Sequence, residues 1–217
     1  MEEKIKKKIE TFFLQFPRVK MQKGDAIKVD KTSSEAFYLK KGHVREYTFS
    51  PQGVELTLHV FAPGSFFPMT EVLAGIKNRY YYEALTSVEL YETPKEKVIK
   101  LLRQEPEIMA DLSRRLLLGL DKLLMRIEYL TFGRAETKVV ATLLFISRHF
   151  GVKKGDEVEL NQPFTHRDIA AFAGISRETA SRELEKLQRR KLLRYSNRRI
   201  VLKDHLIFRK QLDEEKS

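Results

Sequence analysis

The chain has 217 residues, of which 42% are apolar and 10% aromatic. This composition supports a buried core and argues against intrinsic disorder. The 41 Lys and Arg residues outnumber the 30 Asp and Glu residues, and the resulting net charge of +11 favours an acidic polymer as a partner. Because the chain contains no Cys, disulfides, thiolate zinc sites, cysteine-ligated iron–sulfur clusters and cysteine nucleophiles are excluded.

The N-terminal segment MEEKIKKKIETFF is basic and lacks the apolar region of a secretory signal. Apolar stretches elsewhere are too short, or too often interrupted by charge, to cross a bilayer. We therefore expect a soluble, cytoplasmic protein with no membrane partner.

Positive charge is denser towards the C-terminus. Residues 134–217 contain 19 basic and 12 acidic side chains, whereas residues 1–133 contain 22 and 18. A solvated surface would give the same imbalance, so the motifs must decide whether it serves binding.

The first half of the chain changes from a helical to a β-strand pattern. Residues 2–16 are weakly amphipathic and predict a helix, which a proline ends. From about 19 to 93, short β-forming runs alternate with turn residues, and the runs at 36–39, 44–49 and 54–61 can each bury one face. This spacing predicts an antiparallel sandwich or barrel.

A long helix is predicted after a short helical segment at 95–103; it opens near Pro106 and extends to about Phe132. A seven-residue repeat places mostly apolar side chains along one seam of it, at Met109, Ser113, Leu116, Leu120, Leu123, Ile127 and Leu130. Leu117 and Leu124 add a second apolar stripe, which lets one helix pack both on its own domain and on a partner. We predict a symmetric dimer.

Residues 164–204 predict a helix, a tight turn, a second helix and a hairpin. Thr165 stands at an N-cap position, with Asp168 three residues later as an approximate capping box. Gly174 ends this first helix and Ser176 caps the second.

The second helix of this segment carries charged side chains suited to base readout. Arg177 and Arg182 can donate to guanine, and Glu178 can accept from cytosine. Together with the basic hairpin RYSNRRIV, this favours binding in the major groove of duplex DNA. An ordinary amphipathic helix with Glu178–Arg182 and Glu185–Arg189 ion pairs would give a similar pattern.

The sequences SRETASRELEKL and FTHRDIAAFAG closely resemble the winged helix-turn-helix of the catabolite activator protein (Crp/Fnr) family. The run from Gly24 to Phe67 resembles that family's cyclic-nucleotide-binding jelly roll, and SRRLLLGLDKLLMRIEYLTFGR resembles its dimer helix and hinge. The resemblance implies an α+β fold with a jelly-roll sensor-like domain at 1–105, a dimerisation helix and hinge at 106–133, and a winged helix-turn-helix DNA-binding domain at 134–217.

By this resemblance the protein is a transcription regulator rather than an enzyme. It is expected to bind double-stranded DNA as a homodimer, at a pseudo-palindromic site with TGTGA-like half-sites, and to contact RNA polymerase through the loop at 152–162. The resemblance assigns base contacts or backbone contacts to Arg177, Glu178, Arg182, Ser176, Thr179, Thr165, Ser181 and Arg198. Activation and repression both remain open.

Three contacts of the family members that bind cyclic AMP are altered in this chain. Pro68-Met69 replaces the Gly-Glu that follows the paired aromatics, and Gly119-Leu120 replaces the Thr-Ser of the dimer helix. Asn78-Arg79 stands where an Arg-Ser pair is expected, with the Arg one position out. Because a cyclic phosphate is costly to bury without its donors, we predict that neither cyclic AMP nor cyclic GMP binds specifically.

The altered pocket admits two interpretations. A site for an apolar or aromatic small-molecule effector could be lined by Phe66, Phe67, Arg79, Tyr81 and Leu120. Alternatively, these side chains pack on one another, and the regulator needs neither ligand nor cofactor and is controlled by its abundance.

An enzyme of the cupin type shares the jelly roll and is the more distant alternative. It needs a metal triad, but the five His residues are scattered without metal-ligand spacing, at His43, His59, His149, His166 and His205. No nucleophile elbow, phosphate-binding Gly loop or HExxH motif is present. We therefore predict neither a metal site nor catalysis; haem ligation by His43 or His59 would show as a coloured protein.

Overall fold

A computed structural model describes residues 2–29 and 35–203 of the chain. Two compact units result, the first from residues 1–48 and 58–121, the second from residues 49–57 and 122–217. The predicted long helix is continuous and contributes residues to both units. The domain boundaries after 105 and 133 stay predictions. His205 lies outside the described residues.

The first unit is a β-sandwich with antiparallel strand pairs, as predicted. Its strands are β1 (Arg18–Met21), β2 (Ala26–Ile27), β3 (Glu35–Lys41), β4 (Val44–Phe49), β5 (Glu55–Phe61), β6 (Phe66–Phe67), β7 (Tyr81–Ala84) and β8 (Val88–Pro94). The last residue of β4 and residues 55–57 of β5 belong to the second unit. They form two four-stranded sheets, in the orders β1-β8-β3-β6 and β2-β7-β4-β5. Its helices are α1 (Glu3–Phe13), α2 (Met69–Ala74) and α3 (Lys95–Gln104), together with the first part of α4 (Pro106–Phe132).

The centre of strand β3 is buried on both faces, which explains the apolar run at 36–39. Phe37 and Leu39 face the interior of the sandwich. Ala36 and Tyr38 face the other way, into a second cluster formed by α1, α3 and the start of α4. There the ring of Phe13 stacks on that of Tyr38, with 4.7 Å between centroids.

The turn between β3 and β4 requires a glycine at position 42. Gly42 has a φ of +84°, and a Cβ added there would lie 2.3 Å from the Ser87 carbonyl oxygen. We expect Gly42→Ala to lower the free energy of unfolding by at least about 2 kcal/mol, because the left-handed backbone and the backbone clash both oppose it. Urea denaturation measures this loss.

Gly24→Ala is the matched control for this substitution. Gly24 also has a positive φ, +91°, but a Cβ there meets nothing within 4 Å. We expect a loss of about 1 kcal/mol from the backbone conformation alone. Equal losses at the two positions would contradict the packing argument for Gly42.

Helix α4 is buried only near its start, where Ile108, Asp111 and Leu112 pack into the first unit. Further along, Leu117 and Leu124 are 67% and 57% exposed. Other exposed apolar residues of this part are Leu116, Leu118, Leu120, Leu123, Met125 and Ile127. Thus both predicted stripes face outward, and Ile108 and Leu112 make the contact with the helix's own domain. Among the described helices, none is long and apolar enough to cross a membrane.

The second unit combines three helices with a four-stranded sheet. Its elements after α4 are α5 (Ala135–Phe150), β9 (Gly151–Lys154), β10 (Glu157–Leu160), α6 (His166–Ala173), α7 (Arg177–Arg189), β11 (Leu193–Ser196) and β12 (Arg199–Lys203). The strand order is β11-β12-β10-β9, so the C-terminal hairpin is extended by a second hairpin.

The second hairpin, β9–β10, corrects the prediction of a loop at 152–162. Gly155, with a φ of +61°, makes the turn between the two strands. Across the pair, Lys154 forms an ion pair with Glu159, and Val158 lies opposite Lys153. Because charged residues stabilise this hairpin across its strands, its sequence looks like a polar loop.

Candidate nucleic-acid interface

Helices α6 and α7 form a helix-turn-helix with the predicted caps. The Thr165 hydroxyl accepts from the Asp168 backbone N–H, and the Asp168 carboxylate accepts from the Thr165 backbone N–H, which completes a capping box. Gly174 ends α6 in the left-handed conformation, with a φ of +62°. The Ser176 hydroxyl accepts from the Thr179 N–H and starts α7.

Helix α7 has one buried face and one charged, exposed face. Ala180, Leu184 and Leu187 are buried, whereas Arg177, Glu178 and Arg182 are exposed. Arg182 Nη2 donates to the Thr179 hydroxyl at 3.4 Å, a long hydrogen bond within the same exposed face. The N-terminal half of α7 therefore presents the donors and acceptors that base readout requires.

Neither of the two pairs Glu178–Arg182 and Glu185–Arg189 comes within ion-pair distance in the described part of the chain. The ion pair found within α7 joins Lys186 to the buried Glu183, at 2.9 Å. The i,i+4 ion pairs of the alternative interpretation are thus not formed, although the charges of Arg177 and Arg182 contribute to lowering the Glu178 pKa.

Glu178 is held in the ionised form. Its own backbone N–H and the Ser176 hydroxyl lower the pKa of the Glu178 carboxyl below its usual range. An ionised carboxylate can only accept hydrogen bonds, which matches the amino group of cytosine.

The β11–β12 hairpin, the predicted wing, turns through Asn197 and Arg198, whose φ angles are +48° and +62°. Two successive positive φ angles are typical of the two-residue turn that fits strand twist. Arg194 pairs with Glu157 at 2.6 Å and Arg199 with Glu159 at 3.3 Å, both on β10. Two of the hairpin's three arginines thus hold the sheet together, while Arg198 lies exposed at the tip.

Four predicted DNA contacts have hydroxyls that also make internal hydrogen bonds. Those of Thr165, Ser176 and Thr179 belong to the caps, and that of Ser181 contacts His166. A hydroxyl can donate one hydrogen bond and accept two, so a cap can also contact a phosphate. The contacts of these residues with DNA stay predictions.

Two residues that matter for this unit were not singled out from the sequence. His166 lies between α7 and the wing, in contact with Ser181 and Tyr195. Arg126 of α4 donates through Nη2 to the carbonyl oxygens of Thr57, at 2.6 Å, and Phe172, at 2.7 Å. Burial lowers the pKa of the Arg126 guanidinium to about 10, which leaves it charged at neutral pH. Both roles depend on residues far apart in sequence.

The five residues predicted to line an effector pocket lie in different surroundings. Phe66 and Phe67 are neighbours on β6 and therefore point to opposite faces, into the helix-covered cluster and the sandwich interior respectively. Arg79 is exposed and lies over the ring of Tyr80. Tyr81 and Leu120 are 54% and 51% exposed. Of the five, Phe67 alone belongs to the interior cluster of the sandwich.

Aromatic rings fill the sandwich interior around Phe67. Phe61 and Tyr82 both stack on Phe67, with centroid distances of 4.6 and 5.3 Å, and their own centroids lie 6.2 Å apart. The Tyr82 hydroxyl donates to Glu46 at 2.8 Å, and burial raises the pKa values of both groups. Asn78 Oδ1 lies 3.3 Å from the same hydroxyl. Of the two tyrosines on β7, Tyr82 points inward and Tyr81 is exposed.

The buried guanidinium of Arg45 is already paired with a carboxylate within the first unit. Arg45 is 8% exposed, and its Nη2 lies 2.9 Å from the Glu83 carboxylate. Its guanidinium also lies over the Tyr47 ring, 4.4 Å from the centroid. An anionic ligand would have to compete with Glu83 for this charge.

Within the described residues, no group of three or more His, Cys, Asp and Glu side chains could hold a metal ion.

The combination of a β-sandwich, a long helix with an exposed apolar face and a winged helix-turn-helix defines a class of protein, the DNA-binding transcription regulators with a sensor-like domain.

Comparison with known proteins identifies the family. Residues 137–206 match the Crp-like helix-turn-helix domain and residues 18–105 match the cyclic nucleotide-binding domain. The chain therefore belongs to the Crp/Fnr family of transcription regulators.

Individual relatives agree with this assignment over most of the chain. It is 31% identical over 169 residues to transcriptional regulator SdrP of Thermus thermophilus, covering 78% of this chain and 79% of the relative. It is 28% identical over 172 residues to the global nitrogen regulator of Nostoc sp., covering 78% and 77%. The crystal structure of TTHA1359, a CRP/FNR family transcriptional regulator from Thermus thermophilus, matches with a TM-score of 0.73 and 28% identity, over 91% of this chain and 98% of that one.

Proposed function

We propose that the protein is a homodimeric transcription regulator that recognises a pseudo-palindromic site with TGTGA-like half-sites and needs no cyclic nucleotide. The observation that carries the proposal is the exposed N-terminal half of α7, where Arg177, Glu178 and Arg182 stand on a helix whose other face is buried. Arginine donating to guanine and glutamate accepting from cytosine account for a G·C-containing half-site. The wing tip at Arg198 adds a phosphate contact.

The homodimer is supported by the exposed apolar face of α4. An exposed run of leucines over several helical turns is unusual in a monomer and marks an interaction surface. Its seven-residue spacing matches a second copy of the same helix. A two-fold dimer presents two α7 helices to successive major grooves, which requires a palindromic site.

Independence from a cyclic nucleotide is supported by the packing of the sandwich interior. Phe61, Phe67 and Tyr82 occupy the interior with their own stacked rings, and Glu46 adds a carboxylate beside them. A cyclic phosphate would meet this carboxylate and a cation already paired with Glu83. We expect calorimetric titration with cyclic AMP or cyclic GMP to give no binding in the micromolar range. A micromolar dissociation constant for either would contradict this prediction.

Selection of bound fragments from total genomic DNA by the purified, unliganded protein tests the proposed function. Enrichment of one two-fold motif with TGTGA-like halves supports the whole proposal. Enrichment that appears only after a cell extract is added would favour the alternative, a regulator gated by an apolar or aromatic effector. Loss of all enrichment would contradict sequence-specific binding.

We also propose that the protein acts in the cytoplasm and contacts RNA polymerase in addition to DNA. The family resemblance assigns it to 152–162, which is the β9–β10 hairpin. Its exposed residues include Val152, Lys153 and Lys154. Transcription in vitro from a promoter carrying the selected site distinguishes activation from repression.

A further inference from the structure

We propose that His166 is a positioning residue that fixes helix α7 to the wing in the orientation needed for specific DNA recognition; this role rests on the proposed function. His166 is the first residue of α6. Its Nδ1 lies 2.8 Å from the Ser181 hydroxyl on α7, and its Nε2 lies 3.0 Å from the Tyr195 hydroxyl on β11. One imidazole therefore connects α6, α7 and the first strand of the wing.

The bridge can form in every protonation state of the ring. A neutral imidazole donates from one nitrogen and accepts at the other, whereas a protonated one donates from both. Serine and tyrosine hydroxyls can each donate or accept, so both contacts are satisfied in every case. Burial raises the pKa of the Tyr195 hydroxyl, with a contribution from Glu185, so this hydroxyl keeps its proton at neutral pH.

The helix that carries the His166 ring, α6, also fixes its position. The capping box immediately before it holds the start of α6, with the Thr165 N–H donating to Asp168 at 2.7 Å. The buried face of α7 is held by a different kind of contact, made by the apolar side chains of Ala180, Leu184 and Leu187. Apolar contacts are non-directional, whereas hydrogen bonds fix orientation. The bridge thus supplies a directional restraint on α7.

This restraint acts beside the residues that are proposed to contact DNA. Ser181, itself a predicted DNA contact, immediately precedes Arg182, and Tyr195 lies three residues before Arg198. A change in the angle between α7 and the wing would therefore move a base-reading group relative to a phosphate-contacting group. Specific binding needs both in register, whereas non-specific binding needs only the charges.

The test compares His166→Ala, Ser181→Ala and Tyr195→Phe in the full-length protein. Fluorescence anisotropy measures binding to a duplex carrying the selected site and to a scrambled duplex, at two salt concentrations. We expect His166→Ala to weaken binding to the selected site about tenfold and to leave binding to the scrambled duplex within about twofold. The double variant with Tyr195→Phe should be no weaker than His166→Ala alone, because both remove one bridge.

Two further variants separate positioning from other roles. His166→Asn places a side-chain amide near the position of Nδ1, where it can still contact Ser181. We therefore expect this variant to bind the selected site more tightly than His166→Ala. The gain should disappear when Ser181→Ala is added. His149 is a histidine on α5 in the same unit, and His149→Ala serves as the control. We expect this variant to keep the discrimination between the two duplexes.

Three outcomes would overturn this role. Equal weakening on both duplexes with a shallower salt dependence would make His166 a direct phosphate contact. Equal weakening with a lowered melting temperature would make it only a structural support. Additive effects of His166→Ala and Tyr195→Phe would show that the two residues act separately. A wild-type protein that does not discriminate between the duplexes would instead contradict the proposed site, and with it this role.

Discussion

Replacing Leu116 and Leu123 together by glutamate is expected to produce a monomer that binds the selected DNA site at least about a hundredfold more weakly than wild type. Both residues are exposed on α4, at 47% and 42%, so the substitutions should cost the folded chain little. In a dimer they would bury four carboxylates in an apolar seam, which is strongly unfavourable. Sedimentation equilibrium gives the mass, and anisotropy gives the affinity.

The control changes the net charge equally, away from the seam. Arg114→Gln with Lys122→Gln also removes two units of positive charge from the exposed surface of α4. We expect it to remain dimeric and to keep its discrimination between selected and scrambled DNA. A dimeric Leu116→Glu, Leu123→Glu variant would contradict the assignment of α4 as the dimer interface.

The second large effect is expected for Arg182→Ala. Loss of a bidentate contact with guanine should weaken binding to the selected site by about 10- to 100-fold per half-site. The remaining affinity should depend steeply on salt, because phosphate contacts persist without base contacts. Anisotropy with selected and scrambled duplexes at several salt concentrations measures both quantities.

Arg189→Ala removes the same charge at the other end of α7 and serves as the matched control. Arg189 is exposed in the last turn of the helix, far from the N-terminal half that we propose to enter the groove. We expect it to keep the discrimination between the two duplexes. The base-reading assignment would fail if Arg182→Ala retained full discrimination, or if Arg189→Ala lost as much.

The features that could be predicted from the sequence depend on residues that lie close together in the chain. Each cap acts on residues within one helical turn of it, so the N-caps Thr165 and Ser176 and the end of α6 at Gly174 were predicted correctly. The same holds for the β4 and β5 strands, whose boundaries follow from residue alternation and turn residues. The extent of α4 was also predicted, because its repeat continues for over three heptads.

The features that were missed depend on contacts between distant residues. The β9–β10 hairpin is stabilised partly by Glu157, whose partner Arg194 lies 37 residues further along the chain. Phe66 and Phe67 point to opposite faces of β6 because neighbouring residues of a strand alternate. That both faces of their sheet are buried is what the local pattern cannot reveal. His166 gains its role only when α7 and β11 meet around its ring. Such roles appear only after the chain has folded.

In the proposed homodimer, the exposed apolar face of α4 is covered by a second chain, so DNA occupancy includes a bimolecular step. Well below the dissociation constant of the dimer, the dimer concentration rises with the square of the chain concentration. A twofold rise in synthesis would then give about a fourfold rise in dimer. Changes in the rates of translation or proteolysis would therefore produce a steeper transcriptional response than a monomeric DNA-binding protein allows.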